Sequence, residues 1–168
     1  MKTILRLKDN EYPLEYIDHT RKTARAILMN EKREIAFNKV SGKDIFGDRN
    51  YYETPGGGVH KNETTKKALF REVKEETGYQ CEVICPIGIV DDYYNLIHRH
   101  NRNFYYLCKT TIFVGKKLDE YEKSMLEEVI WMDIDTAIEA FKNMTDSPIA
   151  RLVKNRELPI LMKVKELL

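Results

Sequence analysis

Three glutamates, Glu72, Glu75 and Glu76, are the side chains whose type and spacing most directly suggest chemistry. They stand at positions i, i+3 and i+4, so on a helix they fall within one arc of about 100° and share a face. Like charges at these spacings repel each other, and the last turn before Gly78 disfavours carboxylates through the helix dipole. A divalent cation would reverse both effects, because hard carboxylate oxygens suit Mg²⁺ or Mn²⁺. The alternative is a solvated acidic face eased by nearby lysines, and the three carboxylates alone leave both interpretations open.

The residues around the glutamates favour the interpretation as a divalent-cation site over a solvated acidic face. Residues 57–79 fit the pattern Gx5Ex7REUxEExGU at every charged and glycine position, and only Tyr79 departs from it, in an aliphatic slot. This segment resembles the Nudix box, so the chain is identified as a member of the Nudix hydrolase family. The order of predicted strands and helices extends the resemblance over residues 22–141.

The resemblance implies both a fold and a reaction. The fold class is α+β, a Nudix-type α/β/α sandwich with a central mixed β-sheet and a loop-helix-loop active site. The reaction is metal-dependent pyrophosphohydrolysis, in which water cleaves a nucleoside diphosphate linked to another moiety with the help of Mg²⁺ or Mn²⁺. A nucleoside triphosphate, a dinucleoside polyphosphate and a nucleotide sugar all remain open as substrates.

Carried over residue by residue, the motif assigns roles to its charged positions. The resemblance implies these metal ligands: Glu72, Glu75, Glu76 and the carbonyl of Gly57. It also implies that Arg71 and Glu63 form an internal pair that orients the glutamates. The general base is either a glutamate of the box or one outside it. Of the outside candidates, Glu127 and Glu128 precede a predicted strand and are preferred over Glu120 and Glu122.

Substrate choice is assigned to a segment between two predicted strands. Tyr93 and Tyr94 lie there, together with His98 and His100, and a purine could stack on a tyrosine of such a loop. Arg25 and His100 are candidate phosphate contacts. For each of these residues a role in the core or on the solvated surface remains the alternative.

Periodicity and turn residues predict the elements that position the site. Gly78 ends the glutamate helix because glycine takes the left-handed conformation most easily. The predicted strands cover residues 24–29, 34–37, 80–90, 104–114 and 129–132, and the predicted helices cover residues 64–77, 135–143 and 150–168.

Composition bounds the remaining possibilities. The 168 residues fit one domain, 1–168, and the net charge of +1, from 28 basic and 27 acidic residues, argues against dedicated nucleic-acid binding. The sequence shows neither a leader nor a membrane segment, and its three cysteines form no CxxC pair, so we expect a cytoplasmic protein. The resemblance implies that it acts on a small-molecule nucleotide diphosphate. Formation of a homodimer is left open. Two other functions are weighed, a nucleotide-sensing regulatory module and an isopentenyl diphosphate isomerase; the intact box and the cysteine contexts argue against them.

Overall fold

The computed structural model describes residues 1–168, which form eight strands, four α-helices and one short 3₁₀ turn at Asn95–Ile97. The strands are β1 (Thr3–Arg6), β2 (His19–Met29), β3 (Ile35–Asp44), β4 (Gly47–Glu53), β5 (Gly56–Gly58), β6 (Tyr79–Tyr94), β7 (Arg99–Phe113) and β8 (Leu126–Met132). The helices are α1 (Thr65–Thr77), α2 (Glu120–Met125), α3 (Ile134–Lys142) and α4 (Pro148–Lys165).

All eight strands belong to one mixed sheet. Its main path runs β1-β6-β7-β2-β3-β4, while β5 pairs with β2 and β8 pairs with β3. The pairs β1–β6 and β2–β7 are parallel, and the remaining pairs are antiparallel. This mixed sheet between helices confirms the predicted fold class.

Two apolar clusters occupy opposite faces of the sheet. Along β2, Ala24, Ala26 and Leu28 point to the side covered by α1, whereas Ile27 points to the side covered by α3 and α4. The side chains alternate because successive residues of a strand face opposite ways. The sheet therefore carries α1 on one face and the two C-terminal helices on the other.

Most predicted elements exist, with shifted ends. The glutamate helix begins after Thr64 and ends before Gly78, close to its predicted bounds. The predicted substrate loop is wrong in part, because β6 continues through Tyr93 and Tyr94 and β7 already begins at Arg99. The last predicted helix ends early, because α4 stops at Lys165 and Leu168 beyond it is exposed. None of the helices is long and apolar enough to cross a membrane.

Candidate active site

Local signals fix the helix that carries the glutamates. The Thr64 hydroxyl accepts a hydrogen bond from the backbone N–H of Lys67, at 3.2 Å, and so caps the first turn of α1. Gly78 closes the helix with φ of 78°, and an added Cβ there would lie 2.6 Å from the ring of Phe113. Only glycine suits this position, because it tolerates positive φ and the close ring. The two caps set where the glutamates of the last two turns point.

Arg71 ties the helix to the loop before it. Its guanidinium donates to both carboxylate oxygens of Glu63, at 3.1 and 3.0 Å, and to the carbonyl oxygen of Gly58 at 2.9 Å. It also donates to Glu72 at 2.7 Å and to Glu75 at 3.2 Å. The hydrogen bonds from Arg71 lower the pKa of Glu63 to about 2. The ion pair implied by the motif is thus present, and the same guanidinium holds two of the helix glutamates.

Glu76 is a buried carboxylate held by two donors. Its Oε2 accepts hydrogen bonds from the backbone N–H of Gly56 and from Nδ2 of Asn38, both at 2.8 Å. Burial, followed by repulsion from Glu72, raises the pKa of Glu76 well above its usual range. Asn38 was not predicted from the sequence, because it lies on β3 and reaches the helix only through the fold.

Glu72 is the second buried carboxylate and lies against Gly57. A Cβ added to Gly57 would come within 2.6 Å of the Glu72 carboxylate. Burial raises the pKa of Glu72, although Arg71 opposes the shift. The glycine at this position therefore lets the backbone of β5 approach the carboxylate closely.

A third element brings one more carboxylate to the cluster. Oxygen atoms of Glu72, Glu75 and Glu122 all lie within 4.8 Å of one another. Glu122 belongs to the short helix α2, where it also accepts a hydrogen bond from the backbone N–H of Asp119, at 2.8 Å, in a capping box. Three carboxylates at this separation match the hard oxygen donors that Mg²⁺ and Mn²⁺ prefer.

The glutamates outside the box lie in different places. Glu127 lies on β8 and pairs with Lys39 at 2.9 Å, with about half of its side chain exposed. Glu128, its neighbour on β8, is also exposed, and neither residue lines the cleft that contains the cluster. Glu122, ranked lower from the sequence, is the one that reaches it, because α2 folds back over β3.

The carboxylates border a cleft of about 900 Å³. Arginines from several strands, from α1 and from α4 line the same cleft: Arg21, Arg25, Arg49, Arg71, Arg99 and Arg156. Of these, Arg25 lies 3.4 Å from Glu53, and Arg156 lies 2.9 Å from the same carboxylate. A site with carboxylates at one end and guanidiniums across its floor can hold a cation and an anion side by side.

The residues predicted to choose the substrate lie in different places. Arg25 lines the cleft but is buried, and its guanidinium donates to the carbonyl oxygen of Thr54 at 3.1 Å. Tyr94 also reaches the cleft, yet its ring packs edge-on against Phe46 and its hydroxyl accepts a hydrogen bond from Arg156 at 2.9 Å. It is a core residue with one polar contact, and the expectation of a free stacking surface is wrong.

Tyr93 and His100 lie outside the cleft. Their rings stack on each other with centroids 4.9 Å apart, and His100 lies 3.4 Å from Asp91. Both face away from Tyr94 because neighbouring residues of a strand point to opposite sides of the sheet. The structure therefore separates these two residues from the carboxylates.

The polar residues that sequence reasoning missed follow a period of two. Arg99, Asn101 and Asn103 alternate along β7 and all line the cleft, and Arg21 and Thr23 do the same on β2, in phase with the predicted Arg25. Alternation of polar residues in a strand is a readable signal, but it does not say which side of the sheet holds a site.

Comparisons with known proteins agree with this geometry. The model of the family described as NUDIX domain matches residues 19–153. An RNA pyrophosphohydrolase of Orientia tsutsugamushi (strain Boryong) is 30% identical over 104 residues, which cover 55% of this chain and 60% of that protein. An RNA pyrophosphohydrolase of Marinomonas sp. (strain MWYL1) is 39% identical over 61 residues, or 34% of each chain.

A solved structure is similar in fold. A NUDIX hydrolase from Nitrosomonas europaea superposes with a TM-score of 0.67 at 17% identity, covering 88% of this chain and 90% of that one. The fold and the helix-borne glutamates define a Nudix domain. This chain belongs to the Nudix hydrolase family.

Proposed function

We propose that this chain is a metal-dependent pyrophosphohydrolase that cleaves the diphosphate bond of a nucleoside diphosphate linked to another moiety. The observation that carries the proposal is the cluster of Glu72, Glu75 and Glu122, whose oxygens lie within 4.8 Å of one another at the edge of an arginine-lined cleft. The names of the relatives from Orientia and Marinomonas, both RNA pyrophosphohydrolases, support the reaction class.

The donor set fits a hard divalent cation. Glu72 and Glu75 would hold it, with Glu76 and the Gly57 carbonyl as the further ligands implied by the motif, while Glu122 lies beside them. When bound, Mg²⁺ or Mn²⁺ would offset the negative charge of the phosphoryl oxygens and would lower the pKa of a bound water. Burial raises the pKa of Glu76 most, and a cation would relieve the smaller contribution, which is repulsion from Glu72.

The chain's own residues supply orientation and a proton acceptor. Arg71 keeps Glu72 and Glu75 in place, and the N–H of Gly56 and the amide of Asn38 hold Glu76. We assign the general base to Glu122, because its carboxylate oxygens face the cluster from a separate element and its side chain is only partly buried. A carboxylate in this position can take the proton of the attacking water.

The test is a metal-supplemented screen of nucleoside triphosphates, ADP-ribose, dinucleoside polyphosphates and nucleotide sugars. We expect hydrolysis of at least one class with Mg²⁺ or Mn²⁺, loss of that hydrolysis with chelator, and a fall of orders of magnitude in Glu75→Gln. Full activity in metal-free buffer would reject the metal dependence. Tight nucleotide binding with no hydrolysis of any class would reject the enzyme in favour of a sensing module.

A further inference from the structure

Two guanidiniums in the cleft have no carboxylate partner. Arg25 and Arg156 share Glu53, and Arg49 pairs with Asp44, whereas no ion pair holds Arg21 or Arg99. Arg99 contacts the face of the Tyr94 ring at 5.3 Å, and its buried Nε has no hydrogen-bond partner. These two positive charges therefore stand free to attract an anion.

Arg21 and Arg99 lie on one face of two neighbouring strands. The parallel β2–β7 ladder places His19 opposite Arg99 and Arg21 opposite Asn101, so the two arginines are diagonal neighbours. Long side chains reach each other across this diagonal. Burial, followed by repulsion from Arg21, lowers the pKa of Arg99. A bound anion would turn this repulsion into attraction for both groups.

A buried amide completes the set of donors. Asn101 is 2% exposed, lines the cleft, and its Nδ2 has no hydrogen-bond partner. An unpaired buried donor costs free energy unless a ligand satisfies it. The carboxylate opposite Asn101 in the β6–β7 ladder is Asp92, whose Oδ1 accepts a hydrogen bond from Asn103. Its buried Oδ2 has no hydrogen-bond partner and lies 3.7 Å from the guanidinium of Arg156, the cation that offsets its charge.

The three donors adjoin the carboxylate cluster. A Cβ added to Gly58 would lie 3.1 Å from a guanidinium nitrogen of Arg21, while the same addition at Gly57 would meet Glu72 at 2.6 Å. The guanidinium of Arg21 and the Glu72 carboxylate thus lie on opposite sides of β5, and both residues line the same cleft. A ligand that touches both regions needs several linked anionic groups.

We propose that Arg21, Arg99 and Asn101 form a phosphate subsite that binds a phosphoryl group of the substrate beyond the bond that is hydrolysed. The subsite selects a chain of three or more phosphates over a diphosphate that ends in an uncharged sugar, because guanidinium pairs bind phosphate through two parallel hydrogen bonds. This substrate class rests on the proposed pyrophosphohydrolase activity, whereas the anion subsite itself does not.

The first experiment measures binding without catalysis. Titration calorimetry of the full chain with inorganic tripolyphosphate, in EDTA, should show binding that Arg21→Gln and Arg99→Gln each weaken by about ten- to a hundredfold, the loss expected for a hydrogen bond to a charged group. Lys22→Gln removes the same charge from the next residue of β2, which does not line the cleft, and should bind like wild type. Arg21 is exposed, so its replacement leaves the fold intact. No binding by wild type, or equal binding by all variants, would overturn the subsite.

The second experiment measures selectivity. With Mg²⁺, the ratio of kcat/KM for GTP to kcat/KM for ADP-ribose should fall at least tenfold in Arg21→Gln and Arg99→Gln and stay constant in Lys22→Gln. A 5′-triphosphorylated oligonucleotide, tested beside GTP, shows whether the triphosphate comes on a mononucleotide or on a longer chain. Equal losses on GTP and ADP-ribose would overturn the selective role. Arginine-dependent binding of tripolyphosphate with no hydrolysis of any substrate would reject the proposed function and keep the subsite.

Discussion

At the scale of single residues, Glu76 is a carboxyl group that the fold buries beside two neutral hydrogen-bond donors and no cation. An acid whose pKa is raised by folding keeps its proton in the folded chain after the unfolded chain has lost it. The folded state therefore loses stability as the pH rises through the ordinary glutamate range, and the loss is complete once Glu76 itself ionises.

Glu76→Gln removes this penalty, since the Gln side-chain oxygen can still accept from Gly56 and Asn38. At pH 7 and without metal, we expect the free energy of unfolding to rise by at least a few tenths of a kcal/mol. Turnover should fall by orders of magnitude. Thermal unfolding in EDTA at pH 4 and pH 7 checks the sign: the gain should shrink at pH 4. A lower melting temperature at pH 7 would mean that Glu76 is structural.

Glu122 and Glu127 form a matched pair for testing the base. Glu122→Gln keeps the capping box, because Gln also serves at that position, so stability should change by no more than a few tenths of a kcal/mol while kcat falls at least tenfold. Glu127→Gln breaks only a half-exposed ion pair with Lys39 and should leave kcat within about twofold. Steady-state kinetics on both variants decide the assignment; a larger loss in Glu127→Gln would restore the preference drawn from the sequence.

Tyr94 should behave as a core residue. Tyr94→Phe loses one hydrogen bond with the charged Arg156, worth about 1.5 to 3 kcal/mol of stability, and Tyr94→Ala should cost about 3 to 5 kcal/mol. Because the damage acts through the fold, activity on a substrate with an aromatic base and on one without should fall together in the alanine variant. Urea unfolding and kinetics on both substrates test this. A selective loss on the aromatic substrate, with a normal unfolding midpoint, would bring back the stacking role.

At the scale of elements, the short strand β5 contains two glycines that are needed for different reasons. Gly56 has φ of 142°, and a Cβ there would lie 2.1 Å from the backbone oxygen of Ala24. Because the clash involves backbone atoms, it can be relieved only by a shift of β2 or β5. A Cβ on Gly57 meets the Glu72 carboxylate, a side-chain group. We therefore predict that Gly56→Ala destabilises the chain by more than about 2 kcal/mol.

Gly57→Ala should fold with a loss below about 1 kcal/mol but with kcat reduced at least tenfold, because the added methyl displaces Glu72. Denaturant unfolding and kinetics separate the two variants. If Gly57→Ala unfolded as readily as Gly56→Ala, Gly57 would be needed for the stability of the fold and not only for the position of Glu72.

The elements also differ in how well the sequence predicts them. Helix α1 was predictable because its caps, Thr64 and Gly78, and its glutamate spacing are all local. Glu122 was ranked too low because α2 has only six residues and its approach to Glu72 depends on how the chain folds back. Tyr94 was misplaced because β6 runs for 16 residues and its apolar face gives no sign of where the strand stops.

At the scale of the whole molecule, the mixed sheet places two layers of helices on opposite sides, as the order of strands and helices predicted. That order could not predict which side chains of different strands become neighbours on one face of the sheet. Arg21 on β2 and Arg99 on β7 are 78 positions apart in the chain, and only the parallel register makes them neighbours. Long-range pairings of this kind leave no local trace in the sequence.

The division of the apolar interior by the sheet has a further consequence. Leu69 on α1 belongs to one cluster and Ile160 on α4 to the other, with the sheet between them. Free-energy costs of separate sites add when the sites share no neighbours. Leu69→Ala, costing about 2 to 5 kcal/mol, and Ile160→Val, costing about 0.5 to 1.5 kcal/mol, should therefore combine in the double variant to within about 0.5 kcal/mol of their sum.

A double-mutant cycle in urea measures this, and a coupling above about 1 kcal/mol would show that the two clusters respond as one. If the costs add, substitutions beneath α4 can accumulate without disturbing the glutamate helix. Selection could then reshape the core on one side of the sheet while the helix that carries the glutamates stays fixed on the other.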